Sequence, residues 1–281
     1  MRINHNISSM VATGALNRTN REMGKSLEKL STGLRINRAS DDAAGLAISE
    51  RLRTQIRGSR QAQRNAQDGT SLLQIAEGAM NEISEILQRM RELAVQSSND
   101  TLTDVERGYT NEEFKQLRSE IDRIAGVTNY NGMKLISGDA ERFGAGDGST
   151  LWIDAGDTAA TDAMTIQLKN MTVADLSAEM AGAFEIDSQD NAVAAIGYVD
   201  TAINEVNSGR AEIGAIVNRL EHAINNLMVS ETNQAAAESL IRDTDFAHET
   251  AKFTRNQILT QSGTAMLAQS NMTPQNVLTL L

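Results

Sequence analysis

The chain has 281 residues, 40% of them hydrophobic but only 3% aromatic, which favours helix-on-helix seams over a thick globular centre. It contains no cysteine and a single proline, Pro274, so disulfides, thiolate nucleophiles and Cys-ligated metals are excluded and no internal proline interrupts a helix before that point. The net charge of −11 argues against general affinity for nucleic acid, although residues 1–64 carry 12 Lys/Arg against 5 Asp/Glu and the acidic excess lies in the remainder. A basic start and an acidic remainder suit contacts between identical copies.

In chain order, Ile3, Ile7, Met10, Met23, Leu27, Leu30 and Leu34 recur at helical spacing and predict an amphipathic helix from the start to about residue 34. The polar opening lacks an apolar leader, so a cleaved secretory signal is not expected, and no apolar run reaches the ~20 residues that span a bilayer. Gly33 can end the helix and Ser40 or Asp41 can cap the next, which makes 35–42 a connector. From Ala43 to Ser98 no strong breaker occurs, and Leu72, Ile75, Ala79, Ile83, Ile86, Met90 and Leu93 step by three or four. A helix of that length would measure roughly 80 Å.

Residues 97–104 are turn-forming and precede a further helix bearing Phe114, Leu117, Ile121 and Ile124. Between about Thr128 and Asn191 the composition shifts to Gly, Asn, Asp and Thr. Asn131-Gly132 marks a tight turn, and the segments starting at Leu151 and Met164 read as two short strands of a hairpin. Ile196, Val199, Ile203, Val206, Ile213, Val217, Leu220, Ile224 and Leu227 then form the clearest heptad run, with Arg210 taking the one skipped seam position. The last segment carries Leu240, Ile258, Leu259, Met266 and Leu267 and ends apolar at Val277, Leu278, Leu280 and Leu281.

The predicted fold class is mainly α: an antiparallel long-helix bundle or coiled coil made from the N- and C-terminal segments, with a small central β-hairpin region. Narrow stripes bury little area per residue, so at ~25 cal/mol per Å² an isolated copy gains modest stability. The outermost segments, 1–40 and 240–281, are expected to be poorly ordered in a monomer and to fold when copies supply the missing surface.

No catalytic constellation emerges. His5, His222 and His248 lack metal-ligand spacing, Asp41 and Asp42 suit a helix cap, and Gly144–Ser149 lacks the Lys of a phosphate loop and reads as a turn. The expectation is a protein that is not an enzyme, with no cofactor and no metal. Arg53, Arg57, Arg60 and Arg64 share one helix face, which fits a solvated surface or a charged contact with an acidic patch on the next copy; a nucleic-acid rail lacks the interleaved aromatics. A long-coil signalling or nucleic-acid-binding module would account for the heptads but not for the apolar tail.

Longer stretches of text are distinctive: INHNISSM, LEKLSTGLRINRASDDAAGLAISERLRTQIRG, AQDGTSLLQIAEGAMNEI, LQRMRELAVQ and NYNGMKL in the first half, and IGAIVNRLEHAINNL, AAESLIRDTDFAHE and AMLAQSNMTPQNVLTLL in the second. On these the chain resembles bacterial flagellin over roughly 1–138 and 190–281, in a short form lacking large outer domains. The resemblance implies a structural subunit that self-assembles into the flagellar filament for motility; a hook-filament junction protein, with similar ends, is the alternative. It implies a discontinuous terminal coiled-coil domain of 1–44 with 236–281, a helical rod domain of 45–138 with 190–235, and a short β/loop insert at 139–189 belonging to the rod.

The residues expected to carry filament assembly are Ile3, Ile7, Leu27, Leu30, Leu34, Arg53, Arg57, Arg60, Ile258, Leu259, Leu267, Val277, Leu278 and Leu280. The partners implied are further copies in a helical homopolymer, the flagellar cap, junction proteins, an export chaperone and the type III export apparatus, with no nucleic acid and no membrane insertion. A vertebrate innate-immune receptor is a further implied partner, at Arg89, Leu93 and Glu113. The implied location is an extracellular filament, with a periplasmic flagellum equally compatible with the INHN start.

Overall fold

A computed structural model describes residues 6–137, 148–177 and 184–278, and every structural statement below concerns those residues. Helix α1 spans Ile7–Thr32, α2 Ala43–Ser97 and α3 Asp104–Val127; two short strands, β1 (Asn129–Tyr130) and β2 (Met133–Lys134), follow. Next come β3 (Ser149–Trp152), the single turns α4 (Ala159–Asp162) and α5 (Val173–Leu176) with β4 (Ala163–Ile166) between them, and the long helices α6 (Gln189–Arg242) and α7 (Phe246–Leu278).

The helix ends follow from local chemistry. The Asn6 side chain accepts from the Ser9 amide to cap α1, and Gly33 closes it in the left-handed region at φ 73° while donating to the Lys29 carbonyl. Asp41 accepts from the amides of Asn37 and Arg38, and Asp42 accepts from that of Gly45 at 2.8 Å, so the two adjacent carboxylates shape the connector and cap α2. The Arg38 amide is the main reason that Asp41 titrates below its ordinary range. Thr103 and Glu106 form a reciprocal capping box at α3. Asn131 and Gly132 both have positive φ, 50° and 77°, the geometry of the tight turn that joins β1 to β2.

Two compact units divide the chain, Met1–Ile56 with Thr232–Leu281 and Arg57–Glu231, the divisions falling within α2 and α6. In the second unit, α2 and α6 run antiparallel: Arg60 pairs with Glu231 and Arg91 with Asp200, each at 2.6 Å. The α2 seam is Leu73, Ala76, Met80, Ile83, Leu87 and Met90, while Ile75 is 43% exposed and lies beside it rather than on it. On α6 the buried series is Ala192, Ala195, Val199, Ala202, Val206, Gly209, Ile213, Leu220 and Leu227. This corrects the sequence expectation at three positions: the buried track passes through Ala195, Ala202 and Gly209, and the predicted Ile196, Ile203 and Arg210 are half-buried one residue further on. A methyl group on Gly209 would sit 2.6 Å from Cε of Met171, so the position is small because another chain segment fills it.

Helix α3 adds Phe114, Ile121 and Ala125 to this core. The β3–β4 pair is antiparallel with Leu151 opposite Met164, as the two predicted strands require, and Met164, Ile166, Leu168 and Met171 close the core from that side. Buried Asn111 holds residues 185–186 against α3 through the Ile186 amide at 3.0 Å and the Glu185 carboxylate at 3.1 Å.

In the first unit α1 and α7 are antiparallel. The Asn6 amide side chain donates to the Ser270 carbonyl at 2.8 Å, and Thr260 bonds Asn20 at 3.3 Å. At the other end a backbone bridge joins Leu34 to Asp243, the Thr244 amide donates to Gly33, and the Arg35 amide donates to Arg242.

Candidate assembly surface

What the terminal pair leaves uncovered defines the candidate site. The only buried residue described in α1 is Ser26, and in α7 it is Glu249; neither helix buries a single described apolar side chain. Ile7 is 59% exposed, Leu27 57%, Ile258 57% and Leu259 49%, with Met10, Val11 and Met266 more exposed still. Leu30, Leu34 and Leu267 are half-buried. Two helices alone bury only facing edges of their stripes, and an apolar surface of this extent on a folded chain marks an interaction face. Val277 and Leu278 end α7 without described side chains, and Ile3 and Leu280 lie outside the described residues.

The arginine face divides by environment. Arg53 pairs with Glu50 at 3.2 Å, Arg60 with Glu231, and Arg64 donates to Gln61. Arg57 is exposed and has no hydrogen-bond or ion-pair partner among the described residues, which makes it the cation of this row most available to another molecule. Arg242, expected by no sequence argument, donates to Glu50 at 2.6 Å with its side chain 13% exposed, and its guanidinium holds the Glu50 carboxyl below the ordinary glutamate range.

Of the three residues implied for receptor recognition, two meet. Arg89 bonds Glu113 at 2.9 Å and Glu92 at 3.0 Å on the surface, and Glu113 contributes most to raising the pKa of the guanidinium. Leu93 is 1% exposed and packs in the core, so it offers no contact surface while the bundle is folded. Its apolar spacing on α2 fits the seam. Among the described residues no cluster of His, Asp and Glu could hold a metal ion.

The arrangement is that of a long-helix subunit in which one unit has a closed core and the terminal helix pair of the other is uncovered. Residues 3–141 match the family model for the bacterial flagellin N-terminal helical region, and 196–281 match that for the bacterial flagellin C-terminal helical region. Over 100% of both chains, the sequence is 47% identical to a flagellin of Halalkalibacterium halodurans and 45% identical to the flagellar filament 31.3 kDa core protein of Treponema maltophilum. The chain belongs to the bacterial flagellin family. Among solved structures, a flagellar hook-associated protein from Vibrio parahaemolyticus overlaps 72% of this chain and 99% of its own at a TM-score of 0.58; at 19% identity that likeness speaks for the fold alone.

Proposed function

We propose that the chain is a structural subunit of a bacterial flagellar filament and polymerises with itself through the terminal helix pair. The observation that carries this is the absence of any described buried apolar side chain from α1 and α7 beside the closed core of the second unit. Neighbouring copies supply the missing surface. Full-length identity to filament and flagellin relatives supports the same reading, and nothing of comparable strength supports a hook-filament junction role.

In this reading 1–44 with 236–281 form a terminal coiled-coil domain, 45–138 with 190–235 a helical rod domain, and 139–189 a short β/loop insert belonging to the rod. Arg57 contributes a charged contact to the next copy. The filament is extracellular and serves motility, its subunits passing through the type III export apparatus under a chaperone and adding beneath a cap protein above the junction proteins. Antibody labelling of intact against permeabilised cells separates this location from a periplasmic one. The exposed Arg89–Glu113 pair is the part of the implied receptor epitope that a partner can reach in a free subunit.

Negative-stain microscopy of purified protein after seeding tests the function. Long filaments of uniform width are expected; a chain that stays monomeric under seeding and salting-out contradicts it.

A further inference from the structure

Met80, Met90 and Met171 are fully buried in the second unit, whereas Met10 is 71% exposed, Met266 65% and Met272 51% on the uncovered terminal pair; Met228, 54% exposed on α6, lies in the second unit. The Asn6–Ser270 hydrogen bond fixes the register of α1 against α7, and one helical turn inward on each helix brings Met10 level with Met266. Met272 lies two residues beyond Ser270 on the same helix. The chain has no cysteine, so methionine is its only oxidisable sulfur.

A thioether is a flexible apolar group that fills irregular contacts well; its sulfoxide is polar and chiral and fits them poorly. Oxidation at these three positions leaves the subunit's own core intact, because none of the three contributes to it. It spoils the face that copies must cover.

We propose that Met10, Met266 and Met272 are reversible oxidation sites that gate polymerisation, an inference that rests on the filament reading above. In the step itself, the thioether sulfur attacks one oxygen of hydrogen peroxide, an S–O bond forms, the O–O bond breaks and water leaves; sulfur loses two electrons and the peroxide gains them. A dithiol-dependent sulfoxide reductase reverses it, the oxygen leaving as water while two thiols become a disulfide. Once copies cover the terminal pair, the same thioethers are shielded, so free subunits are sensitive and filaments are not.

The test treats monomer and preformed filament with hydrogen peroxide, maps added oxygen by peptide mass spectrometry and then measures the critical concentration for seeded growth. Met10, Met266 and Met272 are expected to oxidise at least about tenfold faster in the monomer than in the filament, while Met80, Met90 and Met171 stay reduced. The oxidised monomer should keep its helical circular dichroism yet need about tenfold or more protein to grow, reflecting the desolvation of a new polar group. Reductase treatment should restore growth, and a chain carrying M10L, M266L and M272L should grow equally before and after peroxide.

Equal oxidation rates in monomer and filament, unimpaired growth of the oxidised monomer, or loss of growth in the peroxide-treated leucine variant would each overturn the proposal alone. Failure of the untreated chain to polymerise would overturn the filament reading and this proposal with it. If the leucine variant does not grow even untreated, the mapped rates and reductase rescue in the native chain decide.

Discussion

Arg242, near the C-terminal end of α6, donates to the carboxylate of Glu50 on α2 at 2.6 Å, and this ion pair sits beside the point where the chain turns into α7. Glu50 also accepts from Arg53, the Arg35 guanidinium donates to the Ile241 carbonyl, and backbone hydrogen bonds join Gly33 and Arg35 to Thr244 and Arg242. The two turns that introduce the terminal helices are therefore tied to each other, so α1 and α7 leave from one fixed place. A single charged pair is exposed enough to be weak, but it closes a set of backbone bonds with few other supports.

That tie should respond to acid. The Arg242 hydrogen bond lowers the folded-state pKa of Glu50 beneath its ordinary 4.5, so the stabilisation is complete above 4.5 and is lost as pH falls through the lower folded value. Amide protection factors at Arg35 and Thr244 should fall below about pH 4.5, and Glu50→Gln should show the reduced protection at neutral pH with little further loss on acidification. Protection independent of both pH and the substitution would show that the backbone bridge stands without the ion pair.

Gly209 provides a sharper test of the core. Its missing Cβ leaves room for the Met171 methyl at 2.6 Å and the Met80 sulfur at 3.6 Å. Gly209→Ala should change stability little, because a helix gains about 1 kcal/mol from alanine while only the flexible end of Met171 must move. Gly209→Leu should cost roughly 1–3 kcal/mol through overpacking, read by denaturant unfolding of the second unit. Equal stability of the alanine and leucine variants would mean that the seam is looser there than the geometry states.

Much of the second unit is legible in the sequence for a physical reason. Val199, Val206, Ile213, Leu220 and Leu227 repeat every seven residues, and a stripe of that period has to face another helix. Gly209 escaped the reading because a glycine adds nothing to an apolar pattern even when it lies on the seam. On α2, Ile75, Ala79 and Ile86 define a track one residue away from the buried Ala76, Met80 and Leu87, and spacing alone does not separate neighbouring tracks on one helix. The tie between Arg35 and Ile241 spans 206 residues and uses a backbone acceptor, which no local pattern encodes. At the candidate site Leu93 has the spacing of a seam residue and is 1% exposed.

Arg57 is the exposed cation of its row without a partner among the described residues, so reversing its charge leaves the subunit's own ion pairs in place. Arg57→Glu should raise the critical concentration for polymerisation several-fold at about 0.1 M salt, and the difference should shrink toward 1 M as the screening length falls from ~10 to ~3 Å. An unchanged filament yield at both ionic strengths would remove Arg57 from the contact.

Deleting Val277–Leu281 should abolish seeded growth while the helical circular dichroism of the rest persists, because the filament reading assigns these apolar residues to contacts between copies. Sedimentation and electron microscopy read the result. Filaments of normal width from the shortened chain would place the essential contacts elsewhere.

The most direct measurement of the central claim is hydrogen exchange compared between monomer and filament. Amides of α1 and α7 should exchange readily in the monomer and become more than about hundredfold protected in the filament, while the seam from Leu73 to Met90 is equally protected in both. Terminal helices as protected in the free subunit as in the polymer would contradict the account.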